Sequence, residues 1–173
     1  MTADLNGDGC IDIYVTNDMN PNFLFLNKGD GTFEDASEAS GAAFDEKGQA
    51  HSGMGVDAED IDGDGKPDLI VTNFTNEYNT LYQNTGSGTF MDVTPYVGLA
   101  SETMPWVGWG TALADFDNDG WPACTGSAGM LPCAVEVAPE VKLPACFNAC
   151  RYATPLLVSS GIVANPDFGS NTS

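Results

Sequence analysis

Basic residues are scarce in this sequence. Only five Lys and Arg stand against 25 Asp and Glu among 173 residues, which gives a formal net charge of −20. Because proteins that grip nucleic acids neutralise phosphates with Lys and Arg, this deficit excludes phosphate-driven nucleic-acid binding. It also disfavours anionic membrane surfaces. Cations and basic partners are the natural counterparts of such a chain.

Long apolar runs are also missing. None approaches the roughly 20 residues that a membrane-spanning helix needs, so we expect no membrane insertion. The N-terminal residues 1–4 lack the basic start and apolar stretch of a signal peptide, so we expect none within this chain.

Residues for nucleophilic catalysis or zinc binding are few. The single histidine, His51, has no nucleophile motif beside it, and we interpret it as a loop or surface residue. Four of the five cysteines fall late in the chain, and their spacing fits no zinc pattern: Cys124, Cys133, Cys146 and Cys150. We therefore expect no catalytic residues and no enzymatic activity.

The sequence repeats itself with a period of about 55 residues. Residues 4–17 match residues 60–73, and a third copy begins at residues 115–122. Two further blocks recur in the same order: 24–35 matches 81–92, and 53–58 matches 108–113. Three blocks that keep their order indicate a structural repeat rather than chance.

Each period reads as a set of short strands. Ile11, Ile13 and Val15 alternate with polar or aromatic residues, and Leu69–Val71 repeats the apolar theme. About four strands fit in one period, which is the size of one propeller blade, and no stretch has a convincing helical period. We predict an all-β fold, an incomplete β-propeller of about two four-stranded blades plus the start of a third, with an irregular C-terminal tail.

The predicted domain limits follow the repeat. The blades span roughly residues 1–52, 53–107 and 108–122. Residues 123–173 contain no repeat feature and form a separate tail, and we hypothesise that this tail is frameshifted or disordered. Two full periods are too few to close a propeller from one copy, so we expect the chain to be a fragment.

The chemistry lies in the pattern Asp-x-Asn/Asp-x-Asp-Gly-x-x-Asp at the start of each repeat. Calcium takes six to eight oxygen ligands, and side chains at alternate positions of a tight loop can converge on one ion. A glycine after the third ligand permits the sharp turn. The remaining ligands would be a backbone carbonyl and the last carboxylate.

The predicted calcium ligands fall in three loops. Loop one offers Asp4, Asn6, Asp8, the Cys10 carbonyl and Asp12; loop two offers Asp60, Asp62, Asp64, the Lys66 carbonyl and Asp68; loop three offers Asp115, Asp117, Asp119 and the Trp121 carbonyl. In loop three, Ala123 replaces the last carboxylate.

Solvated Asp-Gly turns are the alternative interpretation of these loops. Charge argues against it, because carboxylates held about 4 Å apart repel by about 4 kcal/mol per pair at an effective dielectric constant of 20. An EF-hand is excluded, since Val15 and Val71 stand where that motif requires Glu. Magnesium fits less well, because it keeps more of its waters.

Residues 1–122 resemble the FG-GAP/VCBS repeats of calcium-binding β-propellers, especially the ASPIC and UnbV family with its cartilage-acidic-protein relatives. The resemblance implies a propeller of several blades, exposure outside the cell, and calcium bound in loops between strands. It also implies adhesion, ligand binding or scaffolding, with protein or glycan ligands, rather than turnover. Two alternatives stay open: a propeller scaffold of a secreted or periplasmic hydrolase or lyase, and a truncated gene fragment without an independent function.

Overall fold

A computed structural model describes residues 1–115, Asn118, Gly120 and residues 122–127. It contains two four-stranded antiparallel sheets and one two-stranded sheet, each formed by consecutive strands. This arrangement confirms the predicted fold class. No helix within these residues is long and apolar enough to cross a membrane.

Blade one is a simple up-and-down sheet in which each strand pairs with the next. Its strands are β1 (Thr2–Ala3), β2 (Asp12–Val15), β3 (Phe23–Asn27) and β4 (Phe33–Asp35). Loop one joins β1 to β2, and a turn at residues 28–32 joins β3 to β4.

Blade two repeats this order. Its strands are β5 (Val56–Glu59), β6 (Asp68–Val71), β7 (Thr80–Gly86) and β8 (Thr89–Asp92). A short helix α1 (Leu99–Thr103) follows, which the sequence pattern does not predict. It forms because Leu99 and Thr103 are one turn apart and are both buried.

The third sheet pairs β9 (Gly110–Ala114) with β10 (Ala123–Ser127). Strand β10 extends five residues beyond the predicted limit of the repeats at residue 122. Ala123 stands where the other two repeats have an aspartate. The strand still forms, because antiparallel pairing uses backbone groups and not the missing carboxylate. Residues 128–173, the rest of the predicted tail, lie outside the described residues.

Strand β6 is buried along its whole length because it faces two cores. Leu69 and Val71 lie in the core shared with blade one, and Ile70 lies in the core shared with the third sheet. Successive side chains of a strand point to opposite faces, so a continuous apolar run suits a sheet that is covered on both sides.

Strand β2 buries the face opposite to its aliphatic residues. Asp12 and Tyr14 are fully buried, whereas Ile11 and Val15 are 53% and 36% exposed. The Tyr14 ring fills the core between the blades, and its hydroxyl donates a hydrogen bond of 2.5 Å to the Ala42 carbonyl. Burial of the Tyr14 ring raises the pKa of its hydroxyl.

The same backbone joint links each sheet to the next. Gly53 N–H donates to the Asn17 carbonyl at 2.8 Å, and Gly108 N–H donates to the Asn73 carbonyl at 2.9 Å. A Cβ would be crowded at both joints, tightly at Gly53 and below the normal contact distance at Gly108. At Gly108, the Cβ would lie 2.5 Å from the Thr72 Cβ.

Gly108→Ala is expected to destabilise the fold by about 1–3 kcal/mol, because overpacking a close contact forces the backbone to shift. Gly53→Ala should cost less, since the nearest atom there, the Thr16 Cβ, lies 3.1 Å away. Urea denaturation of the two variants measures the difference. Equal losses would contradict the proposed origin of the effect.

Candidate metal centre

Loop two brings three carboxylates together. Asp60, Asp62 and Asp68 each offer an oxygen within 4.8 Å of the oxygens of the other two. Asp68 is buried, and the other two are half-buried. No other acidic, histidine or cysteine trio among the described residues converges in this way.

The turn of loop two folds around the first of these carboxylates. Asp60 accepts hydrogen bonds from the backbone N–H groups of Gly63, Asp64 and Gly65, at 2.8, 3.1 and 2.9 Å. Gly63 and Gly65 have φ of +79° and +85°, a conformation that glycine adopts without strain. The Gly-Asp-Gly sequence therefore wraps the chain around Asp60.

Loop one has the same local structure. Asp4 accepts hydrogen bonds from Gly7, Asp8 and Gly9 at 2.8, 3.2 and 2.8 Å. In the described part of loop three, Gly120 N–H donates to Asp115 at 3.0 Å, as Gly9 does to Asp4. The other predicted ligands of loop three, Asp117, Asp119 and Trp121, lie outside the described residues.

The last aspartate of each complete loop has a second role. Asp12 accepts N–H groups from Leu5 and Asn27, both at 2.8 Å. Asp68 accepts the equivalent groups of Ile61 and Asn84, at 3.1 and 2.7 Å. These buried carboxylates therefore tie the loop to its own blade as well as offering oxygen to an ion.

The buried position also affects the acidity of the loop-two aspartate. Desolvation is the main cause that raises the pKa of Asp68 to about 6. Its two backbone hydrogen bonds lower this pKa, whereas the charges of Asp62 and Asp64 raise it. A cation beside the group would offset this cost, because an opposite charge stabilises the ionised form.

The third predicted side-chain ligand of loop two points elsewhere. Asp64 forms an ion pair with the ammonium group of Lys66, and this hydrogen bond lowers the pKa of Asp64. In loop one the equivalent Asp8 accepts hydrogen bonds from the Cys10 N–H and the Asn6 side-chain amide. The Cys10 and Lys66 carbonyls stay predicted ligands.

The described oxygens suit a hard divalent cation. Three carboxylates that lie close together without a cation between them repel one another, whereas calcium prefers such oxygen-only surroundings. Gln83 contributes a further neighbour, since its side-chain N–H donates to Asp62 at 2.6 Å and orients that carboxylate. Between loops two and three lies a cleft of about 540 Å³, lined by Glu59, Asp60 and Asp115 among others.

His51 belongs to a buried polar network that the sequence pattern does not reveal. It lies in a loop, as expected, and its side chain is 14% exposed. Its Nε2 lies 3.3 Å from Asp45, and its Nδ1 lies 3.1 Å from the Asn73 amide nitrogen. The Tyr78 hydroxyl lies 3.2 Å from carboxylate oxygens of both Asp45 and Asp92.

This network joins the segment between the blades to blade two. Burial, followed by the nearby Asp92 and Asp45 charges, raises the pKa of Tyr78 well above its usual value. The hydroxyl therefore stays protonated and can act as a donor to either carboxylate. Only the tertiary fold brings these groups together, since they are up to 47 positions apart in the sequence.

Tyr78→Phe is expected to destabilise the protein by about 1–2 kcal/mol, because a buried carboxylate loses one of its hydrogen-bond donors. Tyr96→Phe is the matched control. Tyr96 is 61% exposed, so water can take the place of its hydroxyl as a hydrogen-bond partner and the loss should be small. Thermal unfolding of both variants tests this, and a larger effect at Tyr96 would argue against a structural network.

Comparison with known proteins is consistent with the repeat. Cartilage acidic protein 1 of Homo sapiens is 37% identical over 111 residues, which is 62% of this chain and 15% of that protein. The proteins of the same name from Xenopus tropicalis and Mus musculus are 36% and 35% identical, each over 62% of this chain and 16% of their own length. The chain thus spans about one sixth of the length of these curated relatives.

A solved structure also aligns with part of this chain. It belongs to a study of an Agrocybe aegerita lectin that recognises non-reducing terminal N-acetylglucosamine. Its TM-score is 0.41 at 24% identity, over 73% of this chain and 31% of that one.

The repeat itself matches a known family. The family model described as an FG-GAP-like repeat matches residues 4–71 and 60–122, which overlap and together cover most of the sequence. These limits include all three aspartate loops and strands β2 to β9. This match confirms the resemblance drawn from the sequence, and the chain belongs to the family of proteins with FG-GAP-like repeats.

Proposed function

We propose that this chain is a calcium-binding β-propeller repeat module that serves adhesion, ligand binding or scaffolding outside the cell, without catalysis. The observation that carries the proposal is the convergence of Asp60, Asp62 and Asp68 in loop two. The shared hydrogen-bond frame of loop one extends the proposal to a second site.

Calcium is the cation that this chemistry favours. All the side-chain donors in the predicted ligand sets are oxygens of Asp and Asn, and calcium accepts them in irregular geometry and high number. Zinc would require nitrogen or sulfur donors in most of its sites, and magnesium would retain several waters. The two glycines in the turns of loops one and two allow the oxygen shell to adjust to the larger ion.

An extracellular setting suits weak calcium loops. Modules that work outside cells bind calcium with Kd of about 10⁻⁴ to 10⁻³ M, whereas intracellular sensors bind it more tightly. The relatives are named for cartilage and for their acidity, and this chain is itself strongly acidic. The net charge supports the proposal that its partners do not include nucleic acid.

The surroundings of His51 support a role that is not catalytic. The neighbouring Ser52 hydroxyl lies 3.2 Å from the Glu77 carboxylate, and His51 contacts Asp45 and Asn73 instead. A serine nucleophile needs a histidine within hydrogen-bond reach to accept its proton. The contacts of Ser52 and His51 lead to different partners.

Calorimetric titration of the chain with calcium tests the proposal. We expect binding at loops one and two, with dissociation constants in the micromolar to millimolar range. Asp62→Ala should abolish the loop-two site, because it removes one of the three converging carboxylates. Glu34→Gln, which removes one exposed acidic group outside the loops, should leave both sites intact. An unchanged titration in Asp62→Ala would rule out the assigned site.

A further inference from the structure

The two ends of the blades differ in what they present. In an up-and-down sheet successive connections alternate between the ends of the strands. The metal loops and the β3–β4 and β7–β8 turns therefore lie at one end, which we call the loop end. The opposite end is formed by residues 16–22, 36–55, 72–79 and 93–109.

Contacts between the blades show that they share this orientation. At the loop end, the Asn84 side-chain amide of blade two donates to the Leu5 carbonyl in loop one at 3.0 Å. At the opposite end, the Thr16 hydroxyl of blade one donates to the Met54 carbonyl before β5 at 3.1 Å. The two ends therefore form two continuous faces.

Exposed large apolar residues concentrate at the opposite end. Eleven such residues occur in the described part of the chain, and six of them lie in the four segments of this end: Met19, Phe74, Tyr96, Met104, Trp106 and Trp109. Four of the six belong to one region, which we call the aromatic patch and define as Phe74, Met104, Trp106 and Trp109. Their exposed fractions range from 42% to 54%.

The aromatic patch is built on two segments that are joined to each other. Asn76 N–H donates to the Met104 carbonyl, and Gly108 N–H donates to the Asn73 carbonyl, both at 2.9 Å. Asn79 N–H also donates to the Thr103 hydroxyl at 2.9 Å. These contacts hold the segment 103–109 against the β6–β7 loop, so the patch has a fixed frame.

The charged residues of this end are almost all negative. The four segments of this end contain six acidic residues and one basic residue, Lys47. The exposed acids are Asp18, Glu38, Glu46 and Glu102. Glu102 lies only two positions before Met104, at the edge of the patch.

We propose that the aromatic patch is a docking surface for a basic protein segment rich in arginine. An exposed apolar patch with a polar rim is typical of an interaction site. Arginine stacks on tryptophan rings and pairs with carboxylates, so one side chain type satisfies both features of this face. This inference rests on the proposed binding role and names the partner's chemistry and the face that meets it.

Calcium should change how strongly each end of the blades attracts a basic peptide. Without calcium, the clustered carboxylates of the loop end would also attract a basic peptide. Bound calcium would offset two of the negative charges in each loop, whereas the acids of the opposite end would keep their full charge. Recognition of a basic partner should therefore be selective for the aromatic patch only when calcium is present.

The test measures binding of a fluorescent peptide of alternating arginine and glycine to the full chain in saturating calcium, by anisotropy. Trp106→Ala is expected to weaken binding about tenfold, the effect of losing an interface tryptophan. Phe33→Ala is the matched control, because Phe33 is 45% exposed but lies at the loop end. Glu102→Gln should weaken binding and reduce its dependence on salt, and an alternating glutamate and glycine peptide should not bind.

Each outcome decides a separate point. Equal weakening by Trp106→Ala and Phe33→Ala, or binding only after calcium removal, would overturn the docking surface. Binding of maltotriose that is lost in Trp106→Ala, with no peptide binding, would show a glycan occupant and would also overturn it. If calcium stabilises the chain but the peptide does not bind, this inference fails and the proposed calcium module stands. If calcium does not stabilise the chain, the proposed function itself fails.

Discussion

Removing calcium with a chelator is expected to lower the melting temperature of this protein by about 10–20 °C. A ligand present at 100 times its dissociation constant stabilises the folded state by about 2.7 kcal/mol per site, so two sites contribute about 5 kcal/mol. For a chain of this size each kcal/mol shifts the midpoint by about 2–4 °C. The effect is large because the emptied loops are also left with clustered negative charge.

Differential scanning calorimetry in calcium and in chelator measures the shift. Asp62→Ala should melt close to the midpoint of a protein with one site filled, and chelator should then change it less than it changes the wild type. Magnesium at the same concentration should restore only a small part of the loss, because it binds such loops poorly. If the melting curve is the same in calcium and in chelator, these loops are ordinary turns.

Asp12→Ala is expected to destabilise the fold by about 2–4 kcal/mol even without calcium, because one buried and one partly buried N–H group lose their charged acceptor. Those groups belong to Leu5 and Asn27, and the Asp12 carboxylate that binds them is fully buried. Its calcium-independent cost separates this residue from the exposed ligands of the same loop.

The matched control is Asp8→Ala in the same loop. Asp8 is exposed and accepts hydrogen bonds from neighbours within the turn, so its removal without calcium should cost about 0.5 kcal/mol or less. In calcium, both variants should lose the loop-one site. Urea denaturation in each condition gives four values, and similar losses for the two variants in chelator would contradict the structural role of Asp12.

The buried Asp68 connects loop two to the contact between the blades. Asp68 accepts the Asn84 backbone N–H, and the side chain of Asn84 donates to the Leu5 carbonyl of loop one. An ion in loop two would hold Asp68 in place and thereby support a contact with the neighbouring loop. Loops one and two are therefore connected through Asn84, which no alternation of apolar residues would have identified.

Several features were predictable because they depend on local chemistry. The recurrence of the loops around Asp4 and Asp60, with glycines at the positions of positive φ, follows from turn formation over a few residues. The four-strand period follows from short β-prone runs separated by such turns. The apolar run Leu69–Val71 is likewise readable as a strand covered on both sides.

Other features were not predictable, because they depend on partners far along the chain. The alternation in β2 does not reveal that Tyr14 is buried while Ile11 and Val15 are exposed. The third sheet continues through β10 even though its aspartate is absent, since pairing needs only backbone groups.

The sequence alone therefore determined the repeat, the strand content and the positions of the acidic turns, because each is encoded within a dozen neighbouring residues. Only the tertiary structure decided which carboxylates meet, which face of a strand is buried, and where the exposed aromatic residues gather. The reason is physical: convergence and burial are set by how sheets stack, and stacking joins residues that are tens of positions apart.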